Sequence, residues 1–432
     1  MTLRWIPVLV LAQLGTLDLV QAQPKGQERW VATWATAQTL VRQAAARPAA
    51  DAAPPPANSP QTIAARGFNN QPVRMIVRTS IAGRRLRIRL SNAFGGAPVT
   101  LGTAHVAIRA KDSAIVPDSD RTLSFNGKPG CTIAPGVVLL SDPVDLTVPP
   151  VTELAVSLYF PGETGPPTIH STALHNTYIS QEGDLTAKSD IPEPVITQSY
   201  YWLAGVDVVA AADAALLVAF GDSITDGARS TTETNHSWPA LLAARLAANK
   251  GTANIGVANV GIGGNRVLRD GSGSSALARF DRDVLSQPGV KWVTLMEGIN
   301  DIGHASTAVP TEPVTTDELI GAYKQFIAQA HAHGIQVIGC TLTPYEGAGY
   351  YRPDGERIRA ALNSFIRTSG AFDAVVDFEA ATRDAANASR LREEFDPGDH
   401  LHPNDTGYQA MADAFDLKIL TGGRASKPSR DR

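Results

Sequence analysis

The chain is predicted to be an α/β protein in which a doubly wound five-stranded parallel sheet, a three-layer α/β/α sandwich, follows an antiparallel β-sandwich. Three observations predict it. From about residue 66 to 209, short stretches alternate apolar and polar side chains, as in Leu86-Arg87-Ile88-Arg89-Leu90 and Leu154-Ala155-Val156-Ser157-Leu158-Tyr159, and Gly-Gly, Asn-Gly and Pro-Pro pairs punctuate them. After residue 210 the rhythm becomes apolar strand, glycine turn and amphipathic helix, repeated about five times. The length of 432 residues suits two or three domains at roughly 100–200 residues each.

The elements follow in order. Arg4, the apolar stretch 5–17 and the small-residue pattern Val20-Gln21-Ala22 read as a signal peptide at 1–22, with the mature chain beginning near Gln23 and the protein secreted or periplasmic. A membrane anchor is the competing reading, but the stretch is shorter than the roughly 20 residues of a span and Asp18 interrupts its end. Residues 23–65 form an N-terminal segment whose Ala- and Pro-rich portion, with Pro54-Pro55-Pro56, is expected to be a solvated linker. Residues 66–210 are the β-sandwich, 211–420 the α/β domain and 421–432 a disordered tail. Within the α/β domain the candidate strands are 215–220, 253–260, 293–296, 335–341 and 374–378, apolar runs suited to burial on both faces of a parallel sheet. Helices between them carry end signals: Pro239 and Gly251, Thr316 or Asp317 and Gly334, and Pro403 opening the last.

Composition narrows the function classes. Hydrophobic residues make up 43% and charged residues 19%, which describes a globular chain. Thirty-eight Lys and Arg against 42 Asp and Glu leave a net charge of −4 with no basic block, so nucleic acid is not an expected partner. No integral membrane segment is expected in the mature chain. Two cysteines, Cys131 and Cys340, are too few for a disulfide scaffold; Cys340 sits in an apolar run and reads as a buried thiol, with a cross-domain bridge as the alternative.

In a doubly wound sheet ligands bind at the carboxyl ends of the strands, and four segments with chemical capacity stand there. After the first strand, Phe220-Gly221-Asp222-Ser223-Ile224-Thr225-Asp226-Gly227 offers Ser223 as a nucleophile beside backbone N–H groups; the plainer reading is that Asp222 and Ser223 cap a helix. The G-x-S-x-G elbow is absent, since Thr225 replaces its second glycine. After the second strand, Gly261-Ile262-Gly263-Gly264-Asn265 lets the Gly264 N–H approach an oxyanion, or is an ordinary turn; Arg266 breaks the dinucleotide fingerprint. After the third, Gly298-Ile299-Asn300-Asp301 offers the Asn300 amide as a neutral donor, or forms an Asx turn.

Late in the chain, Asp396-Pro397-Gly398-Asp399-His400-Leu401-His402-Pro403 contains a carboxylate and an imidazole three residues apart, a spacing that allows Asp399 to orient His402 as a base. His400 is the rival base, and a metal site is the rival use of the cluster, although no further His/Cys set at ligand spacing accompanies it. His304 lacks an orienting carboxylate in sequence and reads as a surface or packing histidine. No cofactor and no metal are expected.

These four segments, in this order at these strand ends, resemble the GDSL or SGNH hydrolase family, whose blocks contribute Ser, Gly, Asn and a late Asp-x-x-His. The resemblance spans about residues 212–420. It implies a flavodoxin-like SGNH catalytic domain over 211–420, with Ser223 as nucleophile, Asp399 and His402 as orienting acid and base, and Ser223, Gly264 and Asn300 as the oxyanion hole. Trp30-Val31-Ala32-Thr33-Trp34 and the stretch 201–206 further resemble a secreted bacterial subgroup near arylesterases and xylan-associated acylhydrolases. The expected activity is a serine esterase acting on short acyl esters, preferably of a small or polymeric carbohydrate; Tyr345, Tyr350 and Tyr351 in the loop 343–351 either face the sugar or are surface tyrosines with no ligand. Two alternatives stand beside it. One is a lectin-like carbohydrate binder that stacks sugars on Tyr200, Tyr201 and Trp202, with the α/β half silent, although three aromatics in a row near a domain junction more often pack the interface; the other is a lipolytic or aryl esterase of the same fold.

Overall fold

The computed structural model describes residues 28–39, 65–181, 183–305, 307–308 and 311–422. The expected signal peptide at 1–22, the proline-rich stretch 47–60 and the tail beyond residue 422 lie outside the described residues.

The alternating sequence between residues 66 and 209 folds into two main antiparallel sheets. One has the order Trp30–Ala35, Leu203–Val209, Gly83–Ser91, Val144–Val148, with Val138–Leu140 also on Gly83–Ser91. The other runs Val195–Thr197, Thr177–Ile179, Gln71–Arg78, Glu153–Phe160, Thr103–Lys111, Ala114–Ile115, with Arg121–Thr122 also on Thr103–Lys111. Period-2 alternation sorts their side chains. Leu86, Ile88, Leu90, Val206 and Val208 of the first sheet share one core with Val73, Met75, Val77, Leu154, Val156 and Leu158 of the second. The opposite face of the second sheet carries a small separate cluster, with Ile76, Ala107, Ala155 and Tyr178.

One strand of this part lies outside the expected range. Trp30–Ala35 pairs antiparallel with Leu203–Val209, Trp30 opposite Val209, so the N-terminal segment supplies an edge strand of the first sheet. The aromatic run 200–202 is not a sugar platform, because Tyr200, Tyr201 and Trp202 are all buried and Phe68 packs against both Tyr201 and Trp202. That removes the side chains on which the lectin-like alternative rested.

The second half is a five-stranded sheet in the order Ile255–Asn259, Ala215–Gly221, Val290–Met296, Gln336–Cys340, Ala374–Val376, parallel throughout. All seven residues of Ala215–Gly221 are buried, as a strand with neighbours on both edges and cover on both faces requires. Trp238–Ala248, Thr316–Ala332, Pro353–Thr368 and Asp405–Ala414 are its main helices. Thr315 and Glu318 form a capping box at the start of Thr316–Ala332. The last helix starts later than Pro403 implied: the Asn404 side chain accepts from the N–H groups of Thr406 and Gly407, so the cap is Asn404 and Pro403 precedes it.

The two halves are docked directly. The N–H of Ala32 donates to the carbonyl of Pro288 (3.0 Å), that of Glu233 to the carbonyl of Leu174 (2.9 Å), and Arg89 to Gln287 Oε1 (2.6 Å). Arg109 joins Glu153 of its own half to Glu233 of the other. Cys131 and Cys340 are both free thiols, and Cys340 is buried. Among the described residues no helix is long and apolar enough to cross a membrane.

Candidate active site

The strand Ala215–Gly221 delivers the chain into a single helical turn, Ser223–Asp226, and the local sequence explains both ends of it. Asp222 caps the turn by accepting the Ile224 N–H at 2.9 Å, and Gly227 closes it in the left-handed region. The capping expectation and the nucleophile expectation therefore describe the same turn. Capping occupies the Asp222 carboxylate and leaves the Ser223 hydroxyl free to point away from the backbone.

That hydroxyl meets the late segment. Ser223 Oγ lies 2.8 Å from His402 Nε2, and His402 Nδ1 lies 2.9 Å from Asp399 Oδ2. Asp399 Oδ1 also accepts the backbone N–H groups of Leu401 and His402, and Arg229 donates to Oδ2 at 2.8 Å. Partial burial would raise the Asp399 pKa, but the His402 N–H, the imidazole and Arg229 outweigh it and hold the carboxyl well below the usual range. An ionised acceptor on Nδ1 leaves Nε2 as the nitrogen that faces the serine oxygen. His400 points elsewhere: its Nδ1 faces Asp396 and its ring packs over Gly347.

The glycine loop 261–264 closes one side. Gly264 sits at φ +73°, a conformation that glycine adopts without strain, and a Cβ there would lie 2.8 Å from Ser272 Oγ. A Cβ built on Gly263 would lie 4.0 Å from Ser223 Cβ, which sets this loop against the serine. Asn300, in the short helix Ile299–His304 after the third strand, is buried; its Nδ2 donates to the carbonyl of Asn265 at 2.9 Å, which leaves the second amide hydrogen available. The glycine loop and Asn300 are thus tied to each other.

One tyrosine departs from expectation. Tyr345 is buried in the core with its hydroxyl unpartnered and does not face a ligand. Its ring is instead the packing surface for Tyr350 and Tyr351. Tyr350 is the member nearest the site: its hydroxyl donates to Asn300 Oδ1 (3.4 Å) and its ring approaches His304.

Sequence reasoning missed two supporting groups. Arg279 is fully buried beneath the site and donates to the carbonyls of Gly221 and Val260, to Asn265 Oδ1, and to Asp283 and Glu297. A charged residue inside the apolar stretch Ala276-Leu277-Ala278-Arg279-Phe280 is the signal that marks it. Arg229 has no comparable signal, because an arginine in a polar loop resembles any solvated one.

Residues 217–415 match the family model described as GDSL-like Lipase/Acylhydrolase. Among solved structures, the chain is similar to a GDSL-like lipase from Bacteroides thetaiotaomicron (20% identity, 48% of this chain and 88% of that one, TM-score 0.36). It is also similar to an acetylxylan esterase from Geobacillus stearothermophilus (24% identity, 48% and 94%, TM-score 0.37) and to an α/β hydrolase from the metagenome of Lake Arreo, Spain (24% identity, 50% and 98%, TM-score 0.38). No curated protein matches the chain. The matched residues 217–415 are the part that carries Ser223, the glycine loop, Asn300, Asp399 and His402.

Proposed function

We propose that the protein is a serine esterase. The observation that carries this reading is the hydrogen-bonded relay from Asp399 through His402 to Ser223, and Gly264 and Asn300 are the oxyanion donors that the reading assigns. In the proposed reaction His402 Nε2 takes the Ser223 proton as the oxygen attacks an ester carbonyl. Charge then develops on the carbonyl oxygen, where the N–H groups of Ser223 and Gly264 and the Asn300 amide receive it. His402 returns its proton to the departing alcohol, an acyl-serine remains, and a water activated by the same imidazole releases the acid. Ionised Asp399 stabilises the imidazolium formed at each step and fixes the ring orientation.

A short acyl group on a carbohydrate is the substrate class we propose, in line with the secreted subgroup that the segments 30–34 and 201–206 resemble. Export through the leader at 1–22 is part of the same reading. A fluorophosphonate serine probe tests the class: it is expected to label the native protein and not Ser223→Ala, and equal labelling of the two would reject Ser223 as the nucleophile.

A further inference from the structure

Behind the Ser223 turn, the antiparallel half reaches the glycine loop through two buried side chains. His170, in the strand Ile169–His170, is 2% exposed and stacks on Tyr200. Its Nδ1 faces the carbonyl of Ala37 at 2.8 Å, while its Nε2 faces the carbonyl of Thr172 and Asp226 Oδ1, each at 3.1 Å. Carbonyl and carboxylate oxygens only accept, so both ring nitrogens must carry a proton, and a buried imidazolium faces Asp226. Burial opposes that charge, but Asp226 and the two carbonyls outweigh it and raise the His170 pKa.

Asp226 passes the contact on. Its Oδ2 accepts the N–H of Gly263 at 3.2 Å, one residue before Gly264. Asn259 ties the same two segments together: its amide donates to the carbonyls of Thr225 and Asp226, and its Oδ1 accepts the Gly261 N–H at 3.0 Å. A Cβ on Gly261 would lie 2.3 Å from the Asp226 backbone nitrogen, so loop and turn are in direct backbone contact.

We propose that His170 and Asp226 are positioning residues that hold the 261–264 loop, and with it the Gly264 N–H, in place beside Ser223, so that the antiparallel half sets the catalytic rate without touching substrate. The inference rests on the esterase reading above. A donor that serves only the developing oxyanion acts in the transition state, so displacing it lowers kcat and leaves KM nearly unchanged. A displacement of about 1 Å is worth roughly a hundredfold in rate.

The test uses steady-state kinetics of the full-length protein on p-nitrophenyl acetate, expressed per folded molecule by near-ultraviolet circular dichroism. The double variant His170→Leu/Asp226→Leu replaces a buried ion pair by apolar side chains of similar volume, a change that proteins often tolerate. Its kcat is expected to fall about 30- to 100-fold with KM within about twofold. Asp226→Asn keeps an oxygen for Gly263 and offers an N–H to neutral His170, so it is expected to stay within about threefold of the native rate. Asp226→Ala, which needs only one substitution, is expected to match the double variant. Native kcat in the folded double variant or in folded Asp226→Ala, with Ser223→Ala inactive, overturns the positioning role. An active Ser223→Ala overturns the esterase reading instead.

Discussion

Ser223 is 8% exposed, and its hydroxyl contributes one hydrogen bond, to His402, rather than packing volume. Ser223→Ala is therefore expected to lower kcat on a short p-nitrophenyl ester by about 10⁴-fold or more while moving Tm by no more than a few degrees. His402→Ala should fall as far, since the two groups act as one unit, and His400→Ala should keep most of the rate because His400 stands on Asp396. Inverse ranking of the two histidines would reassign the base. Asp222 makes a separate, pH-readable prediction. Burial pushes its carboxyl up to about 7, against the Ile224 N–H and Arg279, and its Oδ2 has no hydrogen-bond partner. A carboxyl raised in the folded state keeps a proton that the unfolded chain has lost, so stability falls as pH rises from the ordinary aspartate value of 3.8 toward about 7. Asp222→Asn keeps the acceptor for Ile224 and cannot ionise. Thermal melts at pH 5 and pH 8 should show a smaller difference in this variant than in the native protein; an unchanged difference would exclude Asp222 as the source.

Strand ends and loops were legible to different degrees. The five parallel strands were readable because central strands covered on both faces are continuous apolar runs bounded by glycine, as Ala215–Gly221 is. Ser223, Gly264, Asn300, Asp399 and His402 stand out as candidates because each follows a strand or precedes a helix at a fixed place in that rhythm. Tyr345 was misread for a physical reason: a tyrosine in a strand-end loop has the same sequence signature whether its ring packs inward or outward, and here the ring is buried beneath Tyr350 and Tyr351. The glycine loop carries the prediction at this scale. Gly264→Ala places a Cβ at φ +73° and 2.8 Å from Ser272 Oγ. Left-handed backbone costs a non-glycine residue about 1–2 kcal/mol, and relief of that strain would shift the donor. A tenfold or greater loss of kcat with little change in KM is expected. A native kcat would mean that the loop accepts the side chain without moving.

At the scale of the whole molecule, the two halves meet through buried polar joints. Arg89 illustrates the joint: it donates to Gln287 across the interface and pairs with the fully buried Asp207, which Arg87 also contacts. Arg89→Ala should destabilise the protein by about 3 kcal/mol, because it leaves a buried carboxylate with one partner fewer. Urea unfolding measures this, and a change below about 0.5 kcal/mol would place the joint's strength elsewhere. A chain beginning near residue 211 would uncover the surface that Trp30–Ala35 and the His170 region occupy, and is expected to be poorly soluble or slow. Full solubility with native kcat on small and polymeric esters would show that the halves are independent. Such long-range joints were illegible in the sequence, since His170 and Asp226 lie 56 residues apart and no periodicity links them.

The pairing of Trp30–Ala35 with Leu203–Val209 also fixes an order of events in time. Among the described residues, strand 30–35 has no partner in the first sheet until residues 203–209 have been synthesised; Thr33 can bond to Ser80 and Ile81 before then, and Ala32 to Pro288 only after. Loop closure over such a separation makes folding slow relative to chains dominated by local contacts. The strand's ladder to the first sheet is therefore completed late, and until then that edge stays unpaired.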